Sequence, residues 1–137
     1  MKNLIIAVLF AVTLLVSVPS HARSVVAVKT PERASFVLTS GQEPSLDKVR
    51  QCIGLASAAR GWRVVAEQPG QLTLHNDVRG KHQVEVKVTY DSRGIQVDYV
   101  SSENLNYRVR DGVGYIHPKY NEWVNLLISD IVAKVSF

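Results

Sequence analysis

Between residues 71 and 101 the chain alternates. In "HQVEVKVTY", residues 82–90, Val84, Val86, Val88 and Tyr90 take one parity and Gln83, Glu85, Lys87 and Thr89 the other. A period of two sends successive side chains to opposite faces of a strand, so this segment buries one face and wets the other. "QLTLHNDV" (71–78) and "IQVDYVS" (95–101) alternate in the same way, and "WRVVAEQ" (62–68) precedes them. Pro69-Gly70, Arg79-Gly80 and Asp91-Ser92-Arg93-Gly94 separate the runs. Connections this short cannot hold a parallel crossover, so neighbouring runs must pair antiparallel. The expectation is a four-stranded antiparallel meander with a single apolar face, which something must cover.

Two helices can cover it. In "SLDKVRQCIGLASAAR", residues 45–60, Leu46, Val49, Cys52, Ile53, Ala56 and Ala59 recur at three- and four-residue spacing. Ser45 is suited to the N-cap, Asp47 to the positive first turn, and Gly61 to the stop. The second helix runs from about 118 to 135. Ile116, Tyr120, Trp123, Val124, Leu127, Ile128, Ile131 and Val135 mark its apolar stripe. Pro118 suits a first helical turn, which makes His117 the expected cap and Trp123 an expected core residue. The predicted fold is α+β and two-layered: a four-stranded antiparallel meander with both helices packed on one face, in the order α-β-β-β-β-α.

The beginning of the chain speaks to compartment. Lys2 precedes the uncharged run "LIIAVLFAVTLLVSV" (4–18), and Ser20 and Ala22 offer small residues for cleavage. The run is shorter than the roughly 20 apolar residues of a spanning helix. Residues 1–22 are therefore expected to be a cleaved signal peptide, placing the protein in the periplasm with no transmembrane anchor after processing. Residues 23–44, punctuated by Pro31, Gly41 and Pro44, read as an extended N-terminal arm, and 45–137 as a single α+β domain. Cys52 is the only cysteine. It cannot form an internal disulfide, and its place on the first helix's apolar face predicts burial. No cysteine follows the cleavage site to accept a lipid.

Composition excludes several function classes. The formal charge is +4 at pH 7. The basic residues are scattered without interleaved aromatics, which argues against a nucleic-acid partner. His75, His82 and His117 do not stand at metal-ligand spacings and have no cysteine pair beside them, so neither a metal nor a cofactor is expected. No nucleophile elbow, Walker loop or dinucleotide fingerprint occurs. Ser101, Ser102 and His117 as nucleophile and base would be a pairing without geometric support in the sequence. The patterned residues left over lie in the connection 102–116 and the start of the last helix, where Asp111-Gly112 can close a small hairpin. Tyr107, Arg108, Arg110, His117, Tyr120 and Asn121 are the candidate binding residues. Arginines beside tyrosines offer charge, forked hydrogen bonds and a flat apolar surface, which suits an anionic partner. The simpler alternative is that the two arginines keep a hairpin soluble, and that His117 and Tyr120 build the helix start.

"LDKVRQCI", "RGW", "HQVEVKVTYD", "SSENLNY" and "IHPKYNEWVNLL" together give a pattern. A helix ends in Gly-Trp, a valine-rich strand opens with histidine, a Ser-x-Asn-Leu-x-Tyr segment follows, and Ile-His-x-x-Tyr-Asn-x-Trp opens the last helix. In this pattern, which covers most of residues 45–135, the chain resembles a family of small exported bacterial proteins of uncharacterised activity, many of them lipoproteins. The resemblance implies fold and compartment and carries no mechanism. The chain departs from it in lacking a lipid-accepting cysteine and in extra residues at about 108–114. The functional expectation is a non-enzymatic binding or interaction module of the cell envelope with an envelope component or protein, anionic in character, as partner. The rivals are a small periplasmic hydrolase or transferase with a groove at His117, and a partner protein that pairs through a sheet edge.

Overall fold

Antiparallel pairing with short turns is what the computed structural model shows, over the described residues 24–136. The expected export segment, 1–22, lies outside them. The elements are β1 (Val26–Ala27), β2 (Ala34–Ser35), α1 (Leu46–Ala59), β3 (Trp62–Gln68), β4 (Gln71–Val78), β5 (His82–Tyr90), β6 (Gly94–Glu103), β7 (Arg108–Arg110), β8 (Val113–Ile116) and α2 (Lys119–Ser136). The fold is α+β, but the expected four-stranded sheet has five strands, in the order β2-β6-β5-β4-β3. A second sheet of three strands, β1-β8-β7, stands beside it. The extra strands of both sheets come partly from the N-terminal arm. Strands of two residues have no period to read, so their pairing is invisible to a pattern search.

The alternation fixes which side is covered. Leu72 and Leu74 of β4, Val84, Val86 and Val88 of β5, and Ile95 and Val97 of β6 are all at most 1% exposed. Val49, Ile53 and Ala56 of α1 and Tyr120, Val124, Leu127 and Ile131 of α2 join them in one core. Cys52 is buried there too, its thiol 3.7 Å from the Lys134 carbonyl oxygen. Ser45 caps α1 through its hydroxyl, which accepts the Lys48 N–H at 3.1 Å. Trp123 departs from expectation: it is half-buried and packs on the margin of the core. The stripe facing the sheet is Tyr120, Val124, Leu127 and Ile131, and Trp123 sits one helical position off it, on the flank. Among the described residues no helix is long and apolar enough to cross a membrane.

A bulge in β6 shapes the end that matters for function. Val86 pairs with Tyr99 and Glu85 with Ser101, leaving Val100 as the extra residue. The inserted residue shifts the parity, so Tyr99 and Ser102 both turn inward, where their hydroxyls lie 2.8 Å apart.

The arm is a strap. Its β1 pairs with β8, its β2 pairs with β6, and Phe36 enters the core. Between the strands Asn121 acts as a surrogate partner. Its side-chain oxygen accepts the Lys29 N–H at 3.1 Å, and its amide nitrogen donates to the Ala27 carbonyl at 3.1 Å. Asn121 is 9% exposed, so an apolar replacement strands two backbone groups with little water to turn to. Asn121→Leu should cost about 1–3 kcal/mol. Amide exchange at Lys29 should accelerate while that of β4 and β5 holds. Unchanged exchange at Lys29 would show that the side chain does not hold the strap.

Candidate functional site

Strand direction places three connections at one end of the large sheet. The turn 79–81 leaves β4 there, β6 ends there, and α2 begins there. Asn104, just past β6, clamps this end together. Its amide donates to the Lys81 carbonyl at 2.8 Å, and its own carbonyl faces His82 Nδ1 at 2.8 Å. The backbone then returns to the helix start, where the His117 N–H donates to the Leu105 carbonyl at 2.8 Å. A cavity of about 620 Å³ opens between these segments, lined by Gly80, Lys81, His82, Asn104, Asn106 and His117. A second, of about 410 Å³, shares Lys81 and His82 and continues past Val78, Arg79, Lys119 and Trp123. The two form one groove. Arg79, Asn104 and Asn106 hold positive φ angles of 57°, 59° and 54°. Arg79 shares this conformation with Gly80 in the turn between β4 and β5, and asparagine is among the residues that adopt it most readily, so all three fix the shape of the connections here.

The lining is cationic. Arg79, Lys81, Lys119, His82 and His117 contribute nitrogen donors or potential charges, and among the described residues no carboxylate lines either part. Lys119 is paired with Glu122 at 2.8 Å, an exposed contact one helical turn along. Arg79 and Lys81 make no ion pair among the described residues.

The two histidines are held in opposite tautomers when neutral. His82 Nδ1 faces a carbonyl oxygen, which only accepts, so Nδ1 carries the proton and Nε2 keeps a lone pair. His117 Nδ1 accepts the Lys119 backbone N–H at 3.1 Å, so it is bare and Nε2 carries the proton. The second arrangement is the helix cap that the sequence suggests. One groove therefore offers an N–H donor and a nitrogen acceptor besides its fixed positive charges.

The six residues singled out by sequence separate. His117 alone among them lines the groove. Tyr107 is 41% exposed and stacks on Tyr99, with ring centroids 4.4 Å apart. Tyr99 meets Tyr120 edge to face at 5.5 Å. A side chain at Gly114 would come within 3.0 Å of the Tyr107 ring, so the glycine lets the ring lie on the strand. Tyr120 is 1% exposed and belongs to the core, and Asn121 holds the strap. Arg108 and Arg110 sit exposed on β7, the edge of the small sheet. Charge on an edge strand blocks stray pairing, which accounts for them without a ligand. The hairpin turn is Asp111-Gly112, both at positive φ, as such a turn requires.

Burial pushes the Tyr120 hydroxyl's pKa well above the ordinary tyrosine value, and Tyr99 shifts the same way for the same first cause. A raised folded pKa means stability that is present below about pH 10, the unfolded value, and is lost as pH climbs above it. The protein should unfold more readily above about pH 10, and Tyr120→Phe should flatten that alkaline loss. Denaturant midpoints across the alkaline range check this. An unchanged profile in Tyr120→Phe would reject Tyr120 as its source.

Sequence reading missed Arg79, Lys81, His82, Asn104, Asn106, Lys119 and Trp123 as groove residues. A usable signal existed for part of it: in a meander, alternate turns share an end, so 79–81 and 104–106 are neighbours, while 117–119 joins them only through the return of the β7–β8 hairpin. The wet sheet face carries another polar row. His75 Nδ1 lies 3.3 Å from Glu85 Oε1, and Ser101 pairs with Glu85 from the far side. Glutamate stands between histidine and serine, two strand spacings or about 10 Å from end to end. A nucleophile needs its base within hydrogen-bond reach, and this row does not supply that. No group of three or more histidine, cysteine, aspartate or glutamate side chains among the described residues could hold a metal ion. No family model, no curated protein and no solved structure matches this chain.

Proposed function

We propose that this chain is an exported envelope protein acting as a non-enzymatic binding module, with an anionic ligand held in the groove between His82 and His117. The observation that carries the reading is the groove's lining of Arg79, Lys81, His82, His117 and Lys119 with no carboxylate among them. A recess walled by one sign of charge focuses its field and raises the local concentration of the opposite ion. Arg79 brings a forked donor set that matches carboxylate and phosphate oxygens, and Lys81 adds a mobile point charge. The His117 Nε2–H donates whatever the ligand's charge. Export rests on the leader pattern at residues 1–22. A hydrolase reading gains no support in the groove, because no serine, cysteine or carboxylate among the described residues lines it to act as nucleophile.

The test is calorimetric titration with inorganic pyrophosphate at about 50 and 200 mM salt, a range over which exposed charge interactions are progressively screened. Wild type should bind, more weakly at the higher salt. Arg79→Gln/Lys81→Gln should lose about tenfold in affinity or more, equivalent to about 1.4 kcal/mol. Arg108→Gln/Arg110→Gln should bind as wild type does. The reverse pattern, or no binding in wild type, would overturn the reading.

A further inference from the structure

We infer that the ligand of this groove is an acidic oligosaccharide, with one sugar ring stacked on Trp123; the inference rests on the anion-binding reading above. The first ground is shape. A third depression, of about 390 Å³, is lined by Trp62, Asn76, Asp77, Val78, Trp123 and Leu126 among others. It shares Val78 and Trp123 with the cationic groove. The three recesses thus form a continuous track, from Leu126 past Trp123 and Lys81 to His117. A track suits a chain of units, whereas a compact anion would fill one section of it.

The second ground is Trp123 itself. It is half-buried, tilted at 45° to the His82 ring with centroids 6.4 Å apart, and it stands at the junction between the charged section and the third depression. A large aromatic left part-exposed at the junction of two recesses offers a flat apolar surface with polar groups around it. A pyranose has the matching form, with C–H bonds on its faces and hydroxyls on its rim. Hydroxyls both donate and accept, and the neighbouring groups offer both: the bare Nε2 of His82, the Nε2–H of His117 and the amide of Asn106. A carboxylate or phosphate on the adjoining sugar would then meet Arg79 and Lys81.

Charge and surface argue against the other anions with an apolar part. Trp62 is only 3% exposed, and the third depression sets Arg60, Asn76 and Asp77 beside Val78, Trp123 and the exposed Leu126, a mixed lining that matches a sugar's apolar face and polar rim more closely than a lipid chain. Among the described residues lining the track, Trp123 is the one part-exposed tryptophan, tyrosine or phenylalanine, where a nucleic acid strand wants successive large stacking platforms.

The experiment compares trigalacturonate with galacturonate monomer, a neutral trisaccharide, dodecyl phosphate and a short oligothymidylate, using tryptophan fluorescence and calorimetry on the full chain. Trigalacturonate should bind about tenfold tighter than either the monomer or the neutral sugar, and should alter tryptophan emission. Trp123→Leu should abolish that gain over the monomer, and should cost trigalacturonate more affinity than it costs pyrophosphate. Pyrophosphate binding without any preference for the trisaccharide would sink this inference and leave the anion reading standing. Failure of both probes would remove both. Tighter binding of dodecyl phosphate or the oligothymidylate would reassign the ligand class. The wild-type comparison stands by itself if Trp123→Leu does not fold.

Discussion

Gly94→Ala should destabilise the protein by about 2–3 kcal/mol, the range of overpacking in a tight interior. Gly94 opens β6 and pairs with Ser35 of β2. A Cβ built there would lie 2.3 Å from the Ala34 carbonyl oxygen, a backbone atom that cannot swing aside. The strap must lift, and with it go the Phe36 N–H bond to the Arg93 carbonyl and the seat of Phe36 in the core. Gly54→Ala is the contrast. Gly54 lies inside α1 with nothing within 4 Å of its would-be Cβ. There alanine should stabilise by about 0.5–1 kcal/mol through helix propensity alone. Urea midpoints for the two variants should move in opposite directions. A Gly94→Ala protein as stable as wild type would show that β2 is not bound to the sheet edge.

The larger loss should come from Tyr120→Ala, at about 3–5 kcal/mol, the usual cost of emptying a large aromatic from a core. Tyr120 is 1% exposed, and its ring meets Tyr99 edge to face at 5.5 Å. Removing it also unseats the stack that carries Tyr107. Trp123→Ala, by contrast, should cost only about 1–2 kcal/mol, because a half-buried ring forfeits less area on truncation. Thermal melts of the pair decide the order. If Trp123 proves the costlier of the two, its indole is fully packed and cannot serve as a stacking surface.

The sequence reading and the structure agree where periodicity is long. β3, β4 and β5 begin and end where the alternation and the turn dipeptides place them, and the middle of each helix buries its apolar stripe, while Leu46 and Ala59 at the ends of α1 are exposed and Trp123 lies on the flank of α2. Agreement fails where information is not periodic. β1 and β2 pair through two residues each, and what holds them is remote: the Asn121 amide, the Ser136 hydroxyl on the Val37 N–H, and the absence of a side chain at Gly94. The groove was hidden for a related reason. Lys81 and His82 read as a turn and a strand start, Asn104 as loop and Trp123 as core. Only closure of the meander brings them beside His117. The Arg108–Arg110 pair, conspicuous in sequence, lies exposed on an edge strand and does not line the groove.

Backbone amide shifts measured by NMR on the ¹⁵N-labelled protein during a pyrophosphate titration locate the anion site residue by residue. The moving resonances should be those of Gly80, Lys81, His82, Asn104, Asn106, His117 and Lys119, in a single saturating event. Shifts confined to Arg108–Arg110, or to the His75 and Glu85 row on the wet face, would contradict this placement.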